Sequence, residues 1–371
     1  METYLWFPFL YIQEFLMENN TQVKIPQQSF DRIMYFDYLR ILATIAVMVI
    51  HIAAEKILEP SVYSYDFNML NIWDSLARWS VPMFAMLSGA LFLDNSIPMT
   101  LKSVFKQNIL RIITAFCFWS AFYVADYTIT YGGLDIKGAA LMFCQGHYHM
   151  WFLFMIVGLY LIVPIMRKIT ESEYLTKYFV ILSLVFTFII PTILRIPPFT
   201  LAQAGYGYLQ FNLTRGYVCY FVMGYWLHKT EICKKMRWII YILGISGFAA
   251  TILLTAFESR KTGAFYANYY DYFTLNVMLE AVGLFVFAKY VLSKIKLNNI
   301  MNKLIVKLSL LSFGAYLIHA FVIEKLALLG LNSLSFNPAL AVPAITVLVF
   351  VASMVVSAVI SKIPVLKKYI V

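Results

Sequence analysis

Charge is scarce in this chain: only 13% of its 371 residues are Asp, Glu, Lys or Arg, about half the share of a soluble domain. With 61% hydrophobic residues and a mean hydropathy of +0.75, that shortage argues against a soluble enzyme and places the chain in a bilayer. Cysteine is scarce as well. The four present (Cys117, Cys144, Cys219 and Cys233) form no CxxC pair and no framework spacing, so a disulfide scaffold is not expected. No internal repeat is visible, which counts against an inverted-repeat transporter. No polar block or low-complexity tract divides the chain. The apolar first eighteen residues carry Glu2, Glu14 and Glu18 and no basic lead, so they do not read as a cleavable signal peptide. An interfacial helix and an upstream extension of little importance are both open for them.

What is abundant is apolar run length. Stretches long enough to span a bilayer, about 17–25 residues, fall near 35–54, 74–93, 107–126, 149–166, 178–195, 211–228, 238–257, 273–291, 308–329 and 339–360. They are continuously apolar, without the alternation of a transmembrane barrel. Placing the termini and every second loop in the cytoplasm puts 21 of the 29 Lys and Arg on that side, as the positive-inside rule requires. The other eight are Lys56, Arg78, Lys137, Arg195, Arg215, Arg260, Lys261 and Lys325. The net charge of +10 therefore records orientation in the lipid bilayer, and no nucleic-acid partner is expected. The expected fold is an all-α integral membrane protein of about ten transmembrane helices with both termini cytoplasmic. Residues 1–33 form a cytoplasmic or interfacial segment, 34–362 the transmembrane domain, and 363–371 a short basic tail.

Against that background the polar residues at membrane depth stand out. Arg40 and His51 lie in DYLRILATIAVMVIHIAAEK, and a cation in a bilayer core costs about 2.5–3.5 kcal/mol on insertion scales. Eleven helical steps return to within about 20° of the same face and rise about 16 Å. One interior surface thus carries a cation toward the cytoplasm and an imidazole toward the outside. Glu55, one turn beyond His51, could orient its ring. Arg111 lies at a depth similar to that of Arg40, so the two could clamp phosphate or each snorkel to the headgroups. Glu280, mid-helix, needs a partner, and both Arg215 and His51 are open. Ser312, Tyr316 and His319 follow i, i+4, i+7 spacing and form a polar stripe, which interhelical hydrogen bonding alone could explain. Ser88-Gly89 allows close helix approach. His147 and His149 form an HxH with no third ligand indicated, so no metal is expected.

Taken in order, these segments resemble the acyltransferase-3 family of multi-pass bacterial membrane proteins. FDYLRILATIAVMVIH is similar to that family's first helix, with its Arg-x10-His motif on Arg40 and His51. SVPMFAMLSGALF is similar to its Phe-Phe-x-x-Ser-Gly segment through Phe84, Ser88 and Gly89, with Ala85 in place of the second bulky residue. HMWFLFMIVGLYLIVPIM resembles its His-x-Trp-Phe-Leu segment, and LSFGAYLIHAF its Ser-Phe-Gly-x-Tyr-Leu-x-His segment. The resemblance implies a fold of ten core helices in a bacterial plasma membrane, in a version without the SGNH-type hydrolase domain of some relatives. It also implies acyl transfer from cytoplasmic acyl-CoA, usually acetyl-CoA, to a hydroxyl of a cell-surface glycan or other extracytoplasmic acceptor. On this reading His51 acts as general base or transient acyl carrier, with Arg40, Glu55 and Glu280 beside it in catalysis. Arg40, Arg111, Ser88, Tyr316 and His319 are expected to hold the donor, and His149, Trp151 and Arg215 the acceptor. The alternative is a transporter or flippase of a small molecule or polysaccharide precursor.

Overall fold

A computed structural model describes residues 32–196, 198–209, 212–364 and 366. The first eighteen residues, with their two open readings, lie outside the described residues. Fourteen helices succeed one another, and no strand occurs among the described residues. They are α1 (Met34–Glu55), α2 (Tyr65–Ser75), α3 (Ser80–Phe92), α4 (Leu101–Tyr131), α5 (Ile136–Gln145), α6 (Trp151–Leu161) and α7 (Val163–Thr170). Then follow α8 (Glu173–Ile193), α9 (Gln203–Tyr208), α10 (Val218–Lys229), α11 (Lys234–Thr262), α12 (Leu275–Tyr290), α13 (Asn299–Leu328) and α14 (Pro338–Ile360). Local chemistry sets the starts. Ser64, Asp135, Ser172, Asn298 and Asn337 each accept a hydrogen bond from a first-turn amide. Thr100 and Ser103 bond reciprocally at the start of α4, which satisfies donors a helix end leaves orphaned.

By length and composition, eight segments among the described residues can cross a membrane, and they coincide with eight of the ten apolar runs. The other two, near 74–93 and 211–228, fold differently. The first is broken by a turn between α2 and α3, and the second yields only the 12-residue α10. At 1.5 Å per residue α3 and α10 are about 18–20 Å long, too short to cross a hydrocarbon core of about 30 Å alone. They are also the most deeply enclosed helices, with almost every residue of α3 buried. Because protein and not lipid surrounds them, irregular backbone at their ends is tolerated. Gly89 and Gly224 bring them together. A Cβ on Gly89 would run into the Phe221 carbonyl, and one on Gly224 into the Met86 backbone. This is the small-residue packing by which helices in lipid approach closely. The α11–α12 pair uses the same device: a Cβ on Gly244 would lie 3.1 Å from the Gly283 Cα.

Three helices run parallel. On α1 and α13, Arg40 faces Ser309 and His51 faces His319. On α4 and α13, Arg111 lies over the Phe313 ring, Tyr123 bonds the Leu317 carbonyl, and Asp126 pairs with Lys325. The space between them, closed by α3 and the antiparallel α6, is where the polar residues collect. All four cysteines are free.

Gly89→Ala and Gly224→Ala are each expected to cost about 1–3 kcal/mol or more through overpacking against backbone, read as a lowered thermal midpoint in detergent. Gly158→Ala, where nothing lies within 4 Å of the added carbon, serves as the control and leaves the midpoint unchanged.

Candidate functional site

One end of the space is organised by Asp37, which is 1% exposed. Its carboxylate accepts from Arg32 at 2.7 and 2.8 Å, from Arg40 at 3.3 Å and from the Ser309 hydroxyl at 2.6 Å. Arg40 is itself buried and lies 3.5 Å from Ser309. Spacing explains the pair: Asp37 and Arg40 are three residues apart, neighbours on a helix surface. A buried guanidinium left unmatched would cost several kcal/mol. Among the described residues, Arg32 and Arg40 share this one carboxylate.

Beside it opens a pocket lined by Phe84 and Ser88 of α3, Asn108, Arg111 and Ile112 of α4, Phe152, Ile156 and Tyr160 of α6, and Ser312, Phe313 and Tyr316 of α13. Its wall is apolar with a few polar groups, as small-molecule sites are. Tyr160 lines the pocket with Ser88, and the charges of both Arg40 and Arg111 act on it. Tyr160 thus joins the two arginines that the sequence places at one depth. α4 contains a π-helical turn over Val104–Ile109, with the Leu110 amide reaching back to the Phe105 carbonyl; Asn108 within it and Arg111 just beyond it both line the pocket. Such turns inside helices recur at functional sites.

The other end is a cluster of imidazoles. Four of the five histidines meet there. His51 lies 5.1 Å ring to ring from His319, and His319 lies 5.0 Å from His149. His149 Nδ1 is 3.0 Å from His147 Nδ1. Tyr148 packs edge-on against His51 at 5.2 Å. Tyr316 connects pocket and cluster: its ring lines the pocket, its hydroxyl donates to the His149 carbonyl, and its own carbonyl accepts from His319 Nδ1. With Nδ1 of His319 engaged, its Nε2 has no hydrogen-bond partner, and neither does Nε2 of His149. Buried unpaired acceptors of this kind call for a donor from a ligand or water.

Of the predicted residues, Arg111, Ser88 and Tyr316 line the pocket, Arg40 lies beside it, and His319, His149 and His51 cluster behind Tyr316. The structure places the remaining predicted residues elsewhere. Glu55 is exposed beyond the cluster. Glu280 lies in the α11–α12 seam, where the Thr251 hydroxyl donates to it and Asn276 completes the network. Arg215 lies over the Tyr206 ring at 4.2 Å and donates to the Tyr206 carbonyl. Trp151, 40% exposed, joins an aromatic wall with Tyr217 and Tyr272. The carboxylate tied to the histidines is Glu324, 2.9 Å from His147 Nε2. Sequence reasoning missed it, as it missed Asp37, Asn108 and Tyr160. Asp37 alone carried a usable signal, its i, i+3 spacing to Arg40. Among the described residues no group of three or more His, Cys, Asp or Glu is arranged to hold a metal ion.

Helices long and apolar enough to cross a membrane, packed around a pocket flanked by Arg111 and by Tyr316 with its cluster of imidazoles, define a multi-pass membrane protein. The family model of the acyltransferase domain known as acyltransferase-3 matches residues 33–362, nearly the whole chain. The chain belongs to that family and is a membrane acyltransferase. No curated protein and no solved structure matches it.

Asp37→Ala is expected to lower stability by about 3–5 kcal/mol, because it leaves Arg40 buried without its carboxylate. The check is the unfolding midpoint in detergent, with Asp37→Ala/Arg40→Met recovering part of the loss.

Proposed function

We propose that the protein is an O-acyltransferase of the bacterial plasma membrane. It moves an acyl group, acetyl in the first instance, from cytoplasmic acyl-CoA to a hydroxyl of a cell-surface glycan or comparable extracytoplasmic acceptor. One observation carries this reading. The pocket beside Arg40 and Arg111 ends on Tyr316, and Tyr316 is bonded to the histidines around His51.

Arg40 and Arg111 suit the phosphates of the donor, because guanidinium forks match phosphate oxygens. The pantetheine arm is long and largely apolar at its reacting end, which fits a wall of Phe84, Phe152 and Ile156. Its thioester is presented toward His51. His51 takes the proton from the acceptor hydroxyl as general base. The oxygen attacks the thioester carbonyl, a C–O bond forms, the C–S bond breaks, and the proton returns to the departing thiolate. Imidazole is suited to both transfers because its unperturbed pKa lies near neutrality. The positive-inside orientation puts the donor on the arginine side and the acceptor on the histidine side.

Purified protein given labelled acetyl-CoA is expected to transfer or slowly hydrolyse the acyl group. His51→Ala, folded to the wild-type midpoint, should lose at least about 10²-fold in kcat; wild-type turnover in that variant would remove His51 from catalysis. Arg111→Ala should raise KM for acetyl-CoA about tenfold or more with a smaller change in kcat. Unchanged KM would refute the phosphate clamp.

A further inference from the structure

His147 and the carboxylate behind it have no part in the mechanism above, yet they are bound into the site. Glu324 on α13 lies 2.9 Å from His147 Nε2, and His147 Nδ1 lies 3.0 Å from His149 Nδ1. The His147 ring is held face to face against Tyr123, 4.1 Å between centroids and 10° between planes. Tyr123 is fixed in turn by its bond to the Leu317 carbonyl at 2.8 Å. Rotation of either imidazole is therefore blocked, and the only freedom left in the chain Glu324–His147–His149 is where the protons sit.

That freedom is small. An ionised carboxylate only accepts, so His147 must donate to it from Nε2. A neutral His147 then has its lone pair on Nδ1. His149 must donate from its own Nδ1, and its Nε2 is left bare. This agrees with the absence of a hydrogen-bond partner at that nitrogen, in a residue only 1% exposed. A second proton on His147 turns its Nδ1 into a donor, obliges His149 Nδ1 to accept, and moves the His149 hydrogen to Nε2.

We infer that Glu324 and His147 are positioning residues: they hold His149 with its Nε2 lone pair open to a donor group of the acceptor substrate. The substrate in this statement rests on the acyl-transfer reading; the relay itself does not. His149 is well placed for the task. Its ring lies 5.5 Å from Tyr316, which lines the pocket, and 5.0 Å from His319, the neighbour of His51. The second-layer carboxylate follows a general pattern in which a buried acid selects the tautomer of a working histidine, and the wrong tautomer is costly to catalysis. The groups facing His147 are Tyr123 from α4, Glu324 and His319 from α13, His51 from α1, and Tyr148 and His149 beside it. Glu55 of α1 acts on Tyr148 together with Glu324.

The test uses full-length protein in detergent with ring-15N histidine. The chain has five histidines, so spectra remain assignable, and the His149 signals are those lost in His149→Asn. In wild type, His149 should show a protonated Nδ1 and a bare Nε2. In Glu324→Leu a neutral His147 can carry its hydrogen on either nitrogen, so both His149 forms should be present, and Glu324→Asp should restore the single form. With acetyl-CoA as donor, Glu324→Leu should lower kcat about tenfold or more and leave KM for acetyl-CoA within about twofold. An identical His149 signature in wild type and Glu324→Leu would overturn the relay, as would an unchanged kcat in an active enzyme. If wild type does not turn over acetyl-CoA, the acyl-transfer reading fails, and the 15N signature still decides the relay.

Discussion

An arginine inside a bilayer needs a carboxylate, and the architecture follows from how Arg40 obtains one. Asp37 supplies it from the preceding turn of the same helix, and Ser309 donates to that carboxylate from across the interface. The bond ties α1 to α13 at one end. Eleven residues along α1 and ten along α13, the rings of His51 and His319 come together, so the two helices share one register over about 16 Å. The Asp37 ion pair and the histidine cluster sit at the two ends of that seam. Charges here are not surface decorations: they fix which faces of two hydrophobic helices meet, a specificity that apolar contacts between lipid-like side chains supply poorly.

The seam would be a closed helix pair without the elements wedged around it. α4 runs parallel and contributes Arg111, while α6 runs antiparallel and contributes Tyr160. α3 adds Ser88 from a helix held in place by Gly89 against α10. Tyr316 then serves two compartments at once. Its ring belongs to the apolar pocket, and its polar atoms belong to the histidines. One side chain, Tyr316, thereby separates a substrate held in the pocket from the histidines.

Much of this was legible in the sequence, and the failures have physical causes. The helical membrane class followed from long apolar runs, and eight runs fall on segments of spanning length, one of them divided into α5 and α6. The runs near 74–93 and 211–228 yielded shorter, enclosed helices, a difference hydropathy does not register because it cannot distinguish a helix immersed in lipid from one buried in protein. Arg40 and His51 were readable because 3.6-residue periodicity puts both on one face. Asp37 was readable in principle, by spacing alone. Glu324 was not: it lies five residues beyond His319, off that face, and meets His147 only because a loop between α5 and α6 folds inward. Glu280 drew attention as an isolated carboxylate, but its partner Thr251 comes from a neighbouring helix and is held in turn by Asn276 from the first turn of α12. No linear pattern announces such a network.

The shortness of α3 and α10 has an electrical meaning. Elsewhere a transmembrane voltage is spread across some 30 Å of hydrocarbon. Where water reaches both ends of this central pair, the same voltage falls across only about 20 Å. The local field along the seam is then about half again as steep, and any proton or thiolate that shifts along it does work against or with the membrane potential. A reaction whose donor and acceptor stand on opposite sides of such a thinned partition would respond to the energised state of the membrane as well as to its substrates.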